Sequence, residues 1–133
     1  LGEMTNAPRW ISKAAIILLH DRSLALHGGM AGLRDEGLLE SALARPINRH
    51  AYEGVNDIVD LAATYALSLS SNHPFVDGNK RTAFLGMGLF LAKHGLHLTA
   101  GQVDATLTMF KVAAGEMDIE GVAEWLRINV APA

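Results

Sequence analysis

Cysteine is absent from the 133 residues, and its absence removes two ways of organising a small protein. No disulfide framework can staple the fold, and no thiolate metal site can nucleate it, which fits a reducing cytoplasm. A basic excess is missing as well. Lys and Arg number 11 against 14 Asp and Glu, a formal net charge of −3, so no general positive field draws in nucleic acid. No apolar run exceeds about half of the ~20 residues that span a bilayer, and the first residues lack the charged and apolar regions of a signal peptide. There is no internal repeat, no low-complexity tract and no linker long enough to divide the chain. The expectation is one domain, 1–133, with no membrane and no direct nucleic-acid partner, long enough to bury a core unaided. Leu1 is not an initiator Met, so residues 1–7 are expected to be a disordered or non-native start.

What the sequence does have is concentrated in HPFVDGNKRTAFLGMGLFLAKHG, His73 to Gly95. A short polar loop runs there into the most apolar segment of the chain. From Ala83 to Ala92 every residue is apolar or Gly, so a helix in this stretch must lie inside the fold. Its first turn is expected near Asn79, where backbone N–H groups without intrahelical partners can bind an anion.

The rest of the chain reads as support. A helix after Pro8 carries Ile11, Ala14, Ala15, Leu18 and Ala25 and ends at Gly28 and Gly29. Asp35 caps a second helix with Leu38, Leu39, Ala42 and Leu43, which Pro46 is expected to terminate, leaving 46–56 as a loop. Asp57 caps a third, with Ile58, Leu61, Ala62, Tyr65 and Leu69 on one face, stopping near Asn72 and Pro74. The central helix ends at Gly95, and Leu96–Leu98 reads as a short extended connector. Thr99 with Gln102 forms a capping-box pattern for a fifth helix placing Val103, Leu107 and Phe110 inward, closed by Gly115. Asp118 caps a last helix with Ile119, Val122, Ala123, Leu126 and Val130, ending before Pro132. Six helices and no convincing strand predict an all-α, single compact six-helix bundle around the buried central helix.

The loop residues have chemical and bland readings side by side. A lone His is usually a satisfied structural one, and Asp77-Gly78-Asn79 is also an ordinary Asx turn and N-cap. Here Pro74 is expected to hold His73 extended and out of helical geometry, while Phe75 anchors the loop to the core. Asp77 can hold a divalent cation, Gly78 allows positive φ, and Asn79 offers a donor and an acceptor. Lys80 and Arg81 sit at the positive end of a helix dipole, a disfavoured place for cations unless an anion offsets them. Two in succession suggest a phosphate.

The string HPFVDGNKR, His73 to Arg81, resembles the motif of the Fic/Doc superfamily at all nine positions, and the Lys after Asn makes it similar to the Doc (death-on-curing) toxin branch. The stretch DEGLLESALARP, Asp35 to Pro46, the chain length and the six-helix reading extend the resemblance over essentially the whole domain. The resemblance implies an ATP-dependent, Mg²⁺-using protein kinase that phosphorylates a Thr of elongation factor Tu and stops translation, partnered by a Phd-like antitoxin. It implies that His73 is the general base that takes the proton of the attacking hydroxyl. Asp77 would hold Mg²⁺ between phosphates. Gly78 and the first-turn amides would cradle phosphate, Asn79 would shape the loop and touch phosphate, and Lys80 and Arg81 would offset charge on the transferred group.

Many Fic proteins carry an inhibitory [ST]xxxE[GN] helix. The three Glu-Gly pairs here begin at Glu36, Glu53 and Glu120, preceded four residues earlier by Gly32, Arg49 and Glu116. None is Ser or Thr, so control in trans is expected. The chain also departs from the Fic pattern HPFxxGNGRxxR: Lys80 replaces a Gly, and Phe84 replaces the second Arg. Losing a bidentate phosphate ligand beside a new point charge favours a different nucleotide pose, and with it phosphoryl transfer. A Fic-type AMP transferase and a catalytically decayed binding protein are the competing readings.

Other patterns fail. GNKRT lacks the GxxxxGK of a Walker A loop, and Gly86 and Gly88 sit mid-helix without a third Gly, where they are expected to permit close helix packing. His94 and His97 straddle a helix end, so His94 is more simply a last-turn residue meeting carbonyls than a metal ligand. The His20–Asp21 pair suits a metal phosphohydrolase, but no second histidine cluster supports it. Trp10, Trp125 and the Met residues read as packing.

Overall fold

The computed structural model describes residues 7–133; the expectation of a disordered or non-native start falls almost entirely outside them. The elements run α1 (Lys13–His27), α2 (Glu36–Glu53), α3 (Ile58–Asn72), α4 (Asn79–Lys93), β1 (Leu96–Leu98), α5 (Gln102–Ala113), α6 (Ile119–Ile128) and β2 (Val130–Pro132). Side-chain caps start four of the six helices: Ser12, Asp35, Asp57 and Asp118 each accept a first-turn N–H. Such a bond satisfies one of the orphan donors of a helix start. No described helix is long and apolar enough to cross a membrane.

The core is built on α3 and α4. Helix α3 packs against α2, α4, α5 and α6, while α4 also meets α1 and β1. Small residues on α3, Ala62, Ala63, Ala66, Ser68 and Ser70, are all buried, and they let these four neighbours approach the same helix from different sides. Tyr65 is fully buried, its hydroxyl accepting the Ile11 N–H at 3.1 Å, and its ring lies 5.1 Å from that of Phe90 on α4. Gly86 is a point of close approach on α4. A Cβ there would stand 3.1 Å from Ile16 and 3.2 Å from Leu69. Gly88, by contrast, faces open space, so only one of the two mid-helix glycines serves close packing.

Pro46 does not end the second helix. Helix α2 continues through it to Glu53 and closes at Gly54, whose φ of 69° is left-handed. The stretch 46–53 is therefore helical, and the predicted loop shrinks to the residues after it. The proline removes the N–H that would bond the Ala42 carbonyl four residues earlier. Ser68 on α3 supplies the missing donor, its Oγ reaching Ala42 O at 2.9 Å.

Three other expectations are corrected. The Thr99 capping box is not formed: the Thr99 N–H donates to Asn129 O at 2.6 Å, and α5 begins after Gly101 without a side-chain cap. Val103, Leu107 and Phe110 point outward, with exposures of 74, 57 and 55 %, while Ala105, Thr108, Met109 and Val112 are buried. Helix α5 is apolar on two faces, and the face with smaller side chains is the one that packs closely. Finally, Val130 leaves the helix, because Val130–Pro132 pairs antiparallel with Leu96–Leu98, Leu98 opposite Val130. The bundle is all-α apart from this small ribbon, which ties the end of the described chain to the end of α4.

Deleting the Ser68 hydroxyl leaves a buried carbonyl unsatisfied, so Ser68→Ala is expected to cost about 1–3 kcal/mol in urea unfolding. In a Pro46→Ala background the restored N–H takes over that carbonyl, and the cost of Ser68→Ala should fall clearly below its value in the parent chain.

Candidate active site

Helix α4 opens at Gly78, which has φ 78° and ψ 18° and offers no side-chain cap. The first bond of the helix is Thr82 N–H to Gly78 O at 3.0 Å. The N–H groups just before it thus face the cleft side of the helix start without a capping side chain. Above them runs the loop His73–Gly78. Asn79 is buried and holds this loop in shape: its Oδ1 accepts the Phe75 N–H and its Nδ2 donates to the Phe75 carbonyl, both at 2.9 Å. The Asn79 side chain is thus committed to the backbone of the loop.

His73 is not extended. It adopts φ 51° and ψ 55° as the left-handed C-cap of α3, among the described residues the one non-Gly at positive φ. The following proline disfavours the right-handed helical region, and the chain turns through the left-handed one instead. Arg34 locks the turn, its Nε donating to His73 O at 2.7 Å and its Nη2 to Asn72 O at 3.1 Å. The link between α1 and α2 then runs alongside the loop. Arg34 N–H and Asp35 N–H both donate to Pro74 O, Val76 N–H donates to Gly32 O, and Leu33 forms an antiparallel bridge with Phe75.

Asp77 is the charged centre of this arrangement. Its Oδ2 accepts the Met30 N–H at 3.1 Å, and its Oδ1 accepts the Gly78 N–H at 2.8 Å. These two backbone N–H groups hold the carboxyl pKa below the ordinary value of 3.8, with smaller help from His20 and Lys80. Gly29 makes the approach possible. Its φ is 122°, and a Cβ there would stand 3.0 Å from Asp77 Oδ2.

His73, Asp77, Gly78, Asn79, Lys80 and Arg81, with Ser70 and Ala113, line one cleft of ≈ 420 Å³. Every predicted site residue is therefore brought to the same place. Lys80 lies with its Nζ 5.1 Å from the centre of the Phe110 ring, a cation–π contact. Neither Lys80 nor Arg81 forms an ion pair among the described residues. A larger cleft of ≈ 660 Å³ between α2, α3 and the start of α6 includes Arg49, Glu53 and Asp118. Arg49 meets Glu53 there at 3.8 Å and Asp118 caps α6, and none of the predicted site residues lines it.

Three contributors were not legible as site residues in the sequence. Ser70 lies in the last turn of α3, its Oγ buried without a partner beside the cleft. From the sequence, Gly29 reads as a helix end alone. His20 is 1 % exposed, stacks on Phe75 at 3.8 Å between ring centres, and donates from Nε2 to Asp77 O at 2.8 Å. The hint in the sequence is the His20–Asp21 pair itself, which reads there as a metal motif. His94 is a last-turn residue as expected, its Nδ1 donating to Phe90 O and its Nε2 accepting the Arg9 N–H.

The donor set suits a Mg²⁺ ion held jointly with a substrate. Each Asp77 oxygen accepts one N–H and keeps lone-pair capacity for a cation. No three His, Asp or Glu side chains converge among the described residues, and Mg²⁺ bound through one carboxylate plus phosphate oxygens and water does not require them. The orphaned Ser70 hydroxyl and the uncapped start of α4 suit a phosphate.

A model of the Fic/DOC family matches residues 10–91, which include the whole loop and α4 up to Leu91. The chain is 37 % identical over 119 residues to "Protein kinase doc" of Escherichia phage P1, covering 90 % of this chain and 94 % of that protein. It is 39 % identical over 99 residues to "Toxin Doc" of Mycolicibacterium smegmatis, covering 72 % of this chain and 76 % of that one.

The depressed Asp77 pKa has a thermodynamic consequence. A carboxyl with a lowered folded-state pKa contributes stability that is present above its ordinary value of 3.8 and is lost as pH falls through the lower folded value. Melting temperatures from pH 7 downward should therefore drop for the parent chain in that acidic range, and Asp77→Asn should remove part of the drop.

Proposed function

The chain belongs to the Fic/DOC family, and from that premise we propose that it is the toxin of a toxin–antitoxin pair. In this reading it is an ATP-dependent protein kinase that phosphorylates a Thr hydroxyl of elongation factor Tu and blocks translation. A Phd-like antitoxin restrains it in trans. The observation that carries the reading is one cleft on which an imidazole, a carboxylate with a lowered pKa, an uncapped helix start and two cations converge. The names of the two relatives, a protein kinase and a toxin, support it.

The roles follow from the positions. His73 accepts the proton of the attacking hydroxyl, whose oxygen forms a bond to the γ-phosphorus as the bond to the ADP leaving oxygen breaks. Lys80 and Arg81 offset charge on the group in transfer, the Asn79 side chain shapes the loop, and Gly78 with the first-turn N–H groups of α4, that of Asn79 among them, positions phosphate oxygens. Asp77 holds Mg²⁺, which when bound neutralises phosphate charge. AMP transfer is disfavoured at two positions. Phe84, where the Fic pattern has its second Arg, is partly buried against the core, and Lys80 occupies the place of a Gly. The intact motif argues against a decayed binding protein.

His73→Ala is expected to keep the parent melting temperature and lose ~10²–10⁴ in transfer rate. Undiminished transfer would take the base role from His73. Asp77→Ala should abolish the Mg²⁺ dependence of ATP binding in a calorimetric titration. Incubation with ATP, Mg²⁺ and elongation factor Tu, followed by intact mass measurement, separates the readings. One added phosphate supports the kinase, one added AMP the transferase, and no adduct the binding protein.

A further inference from the structure

The Asp77 carboxylate is exposed, and the two backbone N–H groups that hold it come from Met30 and Gly78. The second of these belongs to the same peptide unit as the Asp77 carbonyl. In a trans peptide the C=O and N–H point in opposite directions, and no cis bond occurs among the described residues. The carbonyl of that unit accepts the Nε2–H of buried His20 at 2.8 Å, while the N–H on its far side donates to Asp77 Oδ1 at 2.8 Å. A donor beneath the loop thereby sets the direction of the amide above it.

We infer that His20 is a positioning residue for the proposed cation site: by fixing the Asp77–Gly78 peptide plane from below, it presents the Asp77 carboxylate in the orientation that receives Mg²⁺. The inference rests on the assignment of Asp77 as the cation ligand. Three observations converge on it. His20 lies on the buried face of α1 and is 1 % exposed, so its ring has one place to be. The ring is parallel to Phe75 within 9° at 3.8 Å between centres, and Phe75 is itself held by the Asn79 amide. A Cβ on Gly78 would lie 3.7 Å from His20 Nε2, so the imidazole packs directly under the residue whose N–H it orients. A carbonyl can only accept, so Nε2 carries the proton, and the Asp21 carboxylate stands 3.7 Å from Nδ1 on the opposite edge. Helix α1 and the link that follows it thus supply two holds on Asp77: His20 through the peptide, and the Met30 N–H to the carboxylate.

The test separates the hydrogen bond from the packing. His20→Phe keeps a stacked ring and removes the donor, whereas His20→Gln removes the ring and places an amide N–H near the position of Nε2; His20→Leu substitutes for the Phe variant if that one does not fold. Exchange of the Met30 and Gly78 amides is followed by NMR, with α3 amides as the reference, and Mg²⁺-dependent ATP binding is titrated by calorimetry. The expected result is that His20→Phe speeds exchange at those two amides by at least ~10-fold without changing α3. It should also weaken the Mg²⁺ response by ~10–100-fold, the usual effect of losing a group that orients a metal ligand. His20→Gln should recover most of both. Unchanged exchange in His20→Phe, or failure of His20→Gln to recover it while folded, would overturn the inference. A parent chain whose two amides are protected through His20 but which binds no nucleotide with Mg²⁺ would instead sink the kinase reading and leave the positioning of Asp77 by His20 supported.

Discussion

The pair of hydrogen bonds between the Asn79 side chain and the Phe75 backbone is the constraint on which the site depends. Both groups of the amide are used, Oδ1 on the N–H and Nδ2 on the carbonyl of the same residue. Inside the fold such a closed pair is stronger than in water and costly to break by halves. It forces the loop from Phe75 to Gly78 to fold back onto the first turn of α4. Asp77 is then above the helix start and Phe75 is below it. An apolar residue at position 79 would leave two buried backbone groups of Phe75 without partners, a penalty of roughly 1–3 kcal/mol for each.

Around that pair the molecule closes in two directions. From below, Phe75 and His20 stack, so the loop rests on α1. From the side, the α1–α2 link is stitched to the loop by Arg34 and by backbone bonds from Gly32 to Asp35. The link is therefore a structural partner of the motif, although some forty residues separate them in sequence. The rigid mount beneath both is the α3–α4 pair, whose close contact at Gly86 and whose small residues on α3 leave little room for adjustment. Interiors packed to this density transmit position well, and a site that acts by positioning and electrostatics needs that from its scaffold.

Legibility varied with the kind of interaction. Caps at Asp35, Asp57 and Asp118 were readable because their chemistry is local, a side chain meeting an N–H two or three residues on, and the uncapped start of α4 near Asn79 was readable from the polar loop that gives way there to an apolar run. The continuation of α2 through Pro46 was not, because the donor that rescues the Ala42 carbonyl comes from Ser68 on another helix. The inward face of α5 was missed for a related reason. Periodicity marks an apolar stripe, and α5 has two, so only the neighbours α3 and α4 could choose between them. The ribbon of β1 and β2 pairs segments more than thirty residues apart in sequence, which no local propensity encodes.

The sequence by itself determined the helical class, the nine-residue motif and the gathering of its polar side chains at the mouth of a buried helix, because these follow from short-range spacing and from an apolar segment that has to be covered. Tertiary structure alone decided that His73 turns through the left-handed region, that His20 meets the Asp77 carbonyl, and that Gly29 opens the way for the Met30 N–H. Each of these depends on the direction of a backbone dipole relative to a side chain from a distant helix. Composition and spacing specify which groups are available, whereas that direction exists only once the helices have packed.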